Sequence, residues 1–430
     1  MKKTLLCLSM AALLSACGGS SSDDSNSSNG AATPTKLNGV ASAVSDTQIT
    51  VNEYTLDAQN AEVSYDDITW SLQDIQVGMR LEVETNRRGT AEEIDIEPNL
   101  VGEISDVNAD SIVVNGITVS TANINTAFTQ GDWVFVNGFF DANNTWQTDG
   151  VFIVNGVNQA EIEGTVSQAS DSRFFIGATE VDFASVAVDD GRAPVNGDWV
   201  EVEGYMQGAV FIATEVEVEN DDRYSDMELE GTITWVNNEK SVIELNGRTT
   251  VAITATTRFE DGVQSDLIEG AQVDAELLNG DSGLEATEID FENGSGSQNT
   301  SVVSNKFALT GTATYIDATH FSINGFEFVV NANTHFENGL SLDSLSGVEI
   351  EVEGIEQTNG TETIYLVKEI EEIEINDNDI DLQGKMTDGT IWAYVATDAS
   401  LDAYTDGDRI DVECQLVTMN SSVSSCRIDN

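Results

Sequence analysis

GDWVFVNG at residues 131–138 returns, barely altered, as GDWVEVEG at 197–204. Both begin with glycine, skip two residues and then alternate apolar side chains, and the same phrase recurs elsewhere. It appears as Gly78-Met-Arg-Leu-Glu-Val, Gly270-Ala-Gln-Val-Asp-Ala, Gly347-Val-Glu-Ile-Glu-Val and Gly407-Asp-Arg-Ile-Asp-Val. A second phrase, apolar-x-Gly-x-apolar, precedes each of them, centred on Gly39, Gly102, Gly164, Gly231, Gly311 and Gly384. These glycines are 63, 62, 67, 80 and 73 residues apart. One such pentapeptide means nothing; six in order mark internal repetition. Between the two phrases, Asn115-Gly116, Asn246-Gly247 and Asn324-Gly325 each follow an apolar run. Asn-Gly there signals a tight hairpin, because both residues tolerate positive φ. A closing strand such as Glu215-Val-Glu-Val-Glu219 completes most units.

Residues 256–270 (TTRFEDGVQSDLIEG) and 333–347 (NTHFENGLSLDSLSG) align without a gap. Together, apolar-x-Gly, Asn-Gly, Thr-x-Phe-x-x-Gly and Gly-x-x-apolar-x-apolar resemble the bacterial repeat called domain of unknown function 5666. The resemblance runs from residue 37 to the C-terminal end and is best in the fourth and fifth units. It implies small β-barrel units in envelope lipoproteins, and it implies no activity or site.

Alternation such as Glu-Val-Glu-Val-Glu places valines on one face of a strand and carboxylates on the other, as in an antiparallel sheet with one wet side. Five short strands per unit, with the longest connection between the third and fourth, match an oligosaccharide/oligonucleotide-binding barrel. A continuous β-solenoid would want a much shorter period. The expectation is therefore all-β: a tandem array of six small five-stranded antiparallel barrels, the last truncated. The repeats are 37–99, 100–159, 160–222, 227–293, 307–374 and 380–430. Polar stretches at 220–226, 293–306 and 375–379 read as linkers between units strung in series. Pro34, Pro98 and Pro194 fall outside the predicted central strands, as ladder bonding requires.

The chain has 430 residues, 40% of them hydrophobic, which suits several folded units rather than disorder. Its formal charge is −59, from 76 acidic against 17 basic residues. Nucleic acid is thereby excluded as a partner, since phosphate binding needs clustered cations. An anionic membrane surface would also repel the chain.

The N-terminus, MKKTLLCLSMAALLSAC, pairs Lys2 and Lys3 with an apolar run from Leu5 to Leu14. That length fits a secretion signal and is too short for a spanning helix. Leu14-Ser15-Ala16-Cys17 resembles the bacterial lipobox, which implies a signal at 1–16, cleavage before Cys17 and acylation of that cysteine. Several acyl chains anchor durably where one holds only marginally. Gly18 rather than Asp after the cysteine implies sorting to the outer membrane, facing periplasm or exterior. Residues 17–36 read as a polar tether, about 25 Å long on average if random coil.

Cys7 leaves with the signal. Cys414 and Cys426 lie symmetrically about Asn420, so they should face each other across a hairpin and form a disulfide in an oxidising compartment. The two histidines, His320 and His335, supply no catalytic set. His335 holds the repeat position of Arg258, and His320 opens a strand beside Phe321. No Ser-His-Asp, Cys-His or zinc arrangement can be assembled. No catalytic, cofactor or metal residues are assigned. Two acidic runs at unit junctions are candidates for weak Ca²⁺ binding: Asn220-Asp221-Asp222 with Asp226, and Asn376 to Asp381. Trp133 and Trp199 share one repeat position and are expected to fill cores, a sugar-stacking role being the lesser reading. The expected function is non-catalytic: binding an envelope partner or structural spacing. A carbohydrate or surface-ligand binder is the alternative, and a hydrolase comes last.

Overall fold

The computed structural model describes residues 33–66, 68–186, 192–219, 224–280, 283–292, 305–359, 362–373 and 378–428. The glycine-led phrase is the entry to the next-to-last strand of each repeat, the fourth of five in the second, third and fourth repeats. All six leading glycines, Gly78, Gly131, Gly197, Gly270, Gly347 and Gly407, have φ between +83° and +98°, where an L side chain is strained. The strands that follow include Trp133–Phe140 and Trp199–Gln207, each paired antiparallel with the fifth strand of its repeat. In both pairs the register shifts at the last glycine of the octapeptide, between Asn137 and Gly138 and between Glu203 and Gly204. The bulge brings two backbones together: a Cβ on Gly204 would overlap the carbonyl oxygen of Ile212, and one on Gly138 that of Gln147. Equivalent shifts follow Glu276 and Glu353. The octapeptide is repeated because it writes a turn, a strand and a bulge. Gly204→Ala is expected to lower stability by about 3 kcal/mol, since the backbone itself must move. Urea unfolding reads this, and a midpoint unchanged from the parent would show that the bulge is not needed.

The hairpins form at the Asn-Gly pairs, with φ of 49° and 81° at Asn115-Gly116, 55° and 70° at Asn246-Gly247, and 54° and 85° at Asn324-Gly325. Asn52-Glu53 makes the same turn in the first repeat without a glycine (45° and 63°). Beyond turning the chain, the asparagine side chain reaches back across the first strand. Asn115 Nδ2 donates to Val101 O (2.7 Å) and to Glu161 O (3.2 Å), and Asn246 Nδ2 donates to Glu230 O (3.2 Å). This explains the first-strand glycine, because a Cβ on Gly102 would occupy the space of the Asn115 amide. The two sequence signals are thus halves of one contact.

The expected array of discrete antiparallel barrels is not what forms. The strands make a β-solenoid of about 11 turns in mixed sheets, with no α-helix among the described residues. Two observations overturn the expectation. First, parallel pairing occurs inside the repeats other than the second. Thr249–Glu260 runs parallel to Gly283–Phe291, Thr179–Asp182 to Val210–Glu219, and Glu62–Tyr65 to Ala91–Ile96. In the fourth repeat the pairing order is second, third, fifth, fourth, first, returning to the second. Second, first strands pair across repeats. Lys36–Val44 of the first repeat lies parallel to Met227–Val236 of the fourth. Leu100–Val107 pairs antiparallel with Ala160–Ser167, joining the second and third repeats, and Lys306–Thr312 with Asp379–Lys385, joining the fifth and sixth.

The cores fuse in the same way. One apolar cluster runs from Phe307 and Leu309 to Leu382, Trp392 and Val412, spanning the fifth and sixth repeats. A second joins Leu100 and Val136 to Ile162, Val202 and Phe211. A third, built on Leu37, Ile49 and Leu81, takes in Val101, Phe135 and Val154 of the second repeat. Repeats strung in single file cannot make the pairing between the first and the fourth, so the expected string of independent units is corrected as well.

Candidate functional site

Because repeats lie against one another, the second face of many strands is not wet. In the fourth repeat the first, fourth and fifth strands place carboxylates directly opposite one another: Glu230 against Asp274, Asp274 against Asp290, Glu228 against Glu276 and Glu276 against Glu288. The third and fifth repeats do likewise with Glu163 and Glu201, and with Glu353 and Glu369. Like charges in direct cross-strand register are destabilising. Burial sharpens the cost, since a lone ionised carboxylate is expensive to desolvate. The expectation that the alternating acids face water therefore fails at Glu161, Glu163, Asp274, Glu353 and Glu369, all of which are buried.

Among the described residues, two groups converge closely enough to hold an ion. In the first, ligand oxygens of Glu230, Asp274 and Glu292 all lie within 4.8 Å of one another. They come from the first strand, the fourth strand and the residue just past the fifth. The first repeat closes over them: Val40 N donates to Glu230 Oε2 (2.8 Å), and Arg80 Nη1 donates to Glu230 O (3.2 Å) and to Asn38 Oδ1 (2.9 Å). Burial, and then Glu230 and Glu228, push the Asp274 carboxyl up to about 9. Burial also raises Glu292 to about 7 and moves Glu230 above its ordinary value.

The second group is His335, Glu337 and Glu369, again with ligand atoms within 4.8 Å. It lies where the fifth repeat meets the fourth: Asn237 Nδ2 donates to Glu369 Oε2 (2.7 Å), and Asn238 N to Glu353 Oε2 (3.3 Å). Burial holds Glu369 up at about 8, and burial with Glu369 beside it raises Glu353 well above the usual range. In the fourth repeat the position of His335 is Arg258, whose guanidinium pairs with Glu288, so the scaffold there supplies its own cation.

A small polar cleft, partly open to solvent, lies where the first four repeats meet; Arg80, Asn99, Glu163 and Arg248 are in its wall. Four further cations sit at joins between repeats. Arg248 pairs with Glu219, Lys368 with Glu244, Lys306 with Glu269 (3.0 Å) and Arg409 with Glu356 (2.6 Å), each linking one repeat to another.

A family model described as "Domain of unknown function (DUF5666)" matches residues 101–149, 163–217, 230–290 and 310–363, which is half of the chain. The chain belongs to the DUF5666 family. In this DUF5666 protein the matched segments coincide with the second to fifth repeats and contain the Asn-Gly turns and the glycine-led next-to-last strands. No curated protein matches. A solved structure named "drosophila Unr CSD456" shares 14% identity, covers 50% of this chain and 97% of its own, and gives a TM-score of 0.12.

The DUF5666 chain carries the Cys414–Cys426 disulfide, with Cα atoms 4.0 Å apart across the hairpin of Arg409–Thr418 and Ser422–Ile428, and Asn420 turns it with φ of 59°. His320 is held locally, Nδ1 lying 2.9 Å from Asp317 Oδ1 and from Thr319 Oγ1. Trp199 is 8% exposed and has the Arg248 guanidinium over its ring at 5.1 Å, so that face is taken; Trp133 is half-buried against two cores. Cys17, the signal 1–16 and most of the tether lie outside the described residues, as do Asn220-Asp221-Asp222 and Asn376-Asp377 of the proposed Ca²⁺ runs. Sequence reasoning looked for calcium ligands in acidic runs and missed Glu230, Asp274 and Glu292. The available signal was positional: each follows an apolar residue on a strand of the first–fourth–fifth set, and drawing their register would have set the acids opposite one another.

Proposed function

We propose that this chain is a lipid-anchored protein of the bacterial outer membrane whose repeats serve binding or structural spacing rather than catalysis. One observation carries the non-catalytic reading: the residues that recur are those that build the scaffold. The leading glycine sets the strand entry, the Asn-Gly pair sets the hairpin, and the asparagine amide ties the turn to its own first strand and, at Asn115, to a neighbouring repeat. An enzyme built by repetition would be expected to repeat its reactive groups. Here the two histidines occupy unrelated positions and differ in partners. The anchor reading is supported by the basic start, the apolar run and Leu14-Ser15-Ala16-Cys17.

Labelling cells with radioactive palmitate tests the anchor. The parent chain is expected in the membrane fraction with label, and Cys17→Ser unlabelled in the soluble fraction. A Cys17→Ser chain that keeps its label and its membrane association would end the reading.

A further inference from the structure

Among the cleft at the four-repeat join, the His335 group and the Glu230 group, the last is the one with ligand atoms left over. We propose that Glu230, Asp274 and Glu292 form a binding site for a hard divalent cation of the Ca²⁺ type, and that the bound ion fastens the first repeat to the fourth. The inference goes beyond the spacing role and does not depend on the lipid anchor.

Three features of the geometry support it. The three carboxylates converge within 4.8 Å, about the widest separation that two oxygens can have when each lies 2.3–2.6 Å from one ion. Asp274 is 8% exposed, yet its Oδ1 has no hydrogen-bond partner, which is rare for a buried carboxylate oxygen. The first repeat adds another orphan beside it. Asn52 is 4% exposed and its Oδ1 is likewise unpartnered, while its Nδ2 is engaged by Glu228 O (3.2 Å). A Cβ placed on Gly39 would meet both Asn52 Oδ1 and Glu230 Oε2, so these two oxygens face each other across that glycine.

The donor set selects the ion. Carboxylate and amide oxygens suit Ca²⁺, Mg²⁺ or Mn²⁺, whereas zinc prefers thiolate or imidazole, of which this site has neither. Mg²⁺ demands near-ideal octahedral geometry and gives up its water reluctantly, so a mixed set of side chains from two repeats favours Ca²⁺. Charge agrees: Arg80 contributes one positive charge nearby, and a dication balances what remains of the three carboxylates. The strand register gives the reason for a cation at all, since Glu230 and Asp274 are direct cross-strand neighbours. A proton shared among the acids is the rival way to relieve that repulsion.

The test titrates CaCl₂ into the full-length chain after chelator treatment, by calorimetry at neutral pH in two buffers of different ionisation heat. MgCl₂ and ZnCl₂ run in parallel. A saturable Ca²⁺ site is expected, with a dissociation constant of roughly 0.1–1 mM, release of protons on binding and a melting temperature raised by several degrees. Asp274→Asn and Glu292→Gln should each weaken Ca²⁺ at least about tenfold, and Glu292→Gln should also raise the Ca²⁺-free melting temperature, because it removes a like charge. Glu292 is exposed, so Glu292→Gln keeps the test sound if Asp274→Asn folds poorly. No heat and no thermal shift with Ca²⁺ would overturn the site in favour of the shared proton. A Ca²⁺ shift that survives Glu292→Gln undiminished, or a preference for Zn²⁺, would overturn it too and place the ion elsewhere.

Discussion

Raising the pH from about 5 to about 9 in chelator is expected to lower the unfolding free energy by on the order of 5 kcal/mol, a large share of a typical domain's stability. In the unfolded chain Asp and Glu lose their protons near 3.8 and 4.5. In the folded chain burial, followed by neighbouring carboxylates, holds the Asp274 proton up to about 9 and the Glu369 proton up to about 8. Burial also raises Glu228, Glu292 and Glu371 to about 7. Through that window the folded state carries more protons than the unfolded one, so each upward step in pH favours unfolding. The penalty is absent below the unfolded values and complete once pH passes the highest folded value. Glu292 keeps solvent contact, which shrinks its share. Self-repulsion of a chain with net charge −59 acts in the same direction. Urea unfolding at several pH values checks this. A flat profile, or one rising toward pH 9, would show that these acids are ionised and paired in the folded chain.

What the sequence made legible, and what it did not, divides along a physical line. Local backbone demands were readable because few residues meet them. A position needing φ near +90° at strand entry falls on glycine in all six repeats, and Asn-Gly turns appear where the pairs were seen. The disulfide was readable because Cys414 and Cys426 are equidistant from a turn. Strand partners were not. Alternation tells which residues share a face and says nothing about which strand lies alongside, so Lys36–Val44 gave no sign of its parallel pairing with Met227–Val236. The same gap hid the site. Asp274 sits between Val273 and Ala275 in a pattern that reads as a wet face, yet it is buried. Polar residues also make the join between the first and fourth repeats, through Asn52, Val40 N and Arg80, so no excess of apolar residues announced it.

Lys368→Met is expected to cost about 4 kcal/mol, with a loosened join between the fourth and fifth repeats. Lys368, 4% exposed on the last strand of one repeat, pairs with Glu244, 1% exposed on the second strand of the other. Glu244 Oε1 also accepts from Thr234 Oγ1 (2.8 Å), which fixes the carboxylate in place. A small apolar seam, Trp235, Val242, Val329, Ile355, Ile364 and Leu366, also spans the two repeats. Removing the ammonium leaves an ionised carboxylate with no water and no cation, and that loss outweighs whatever the intact pair contributes net. Replacing both partners by apolar residues removes the orphan, so Lys368→Met with Glu244→Leu should recover to within about 1 kcal/mol of the parent. The difference between the single and double variants is the coupling energy, measurable by urea unfolding in a double-mutant cycle. A Lys368→Met chain as stable as the parent would show that Glu244 is solvated or protonated, and that the two repeats hold together without the pair.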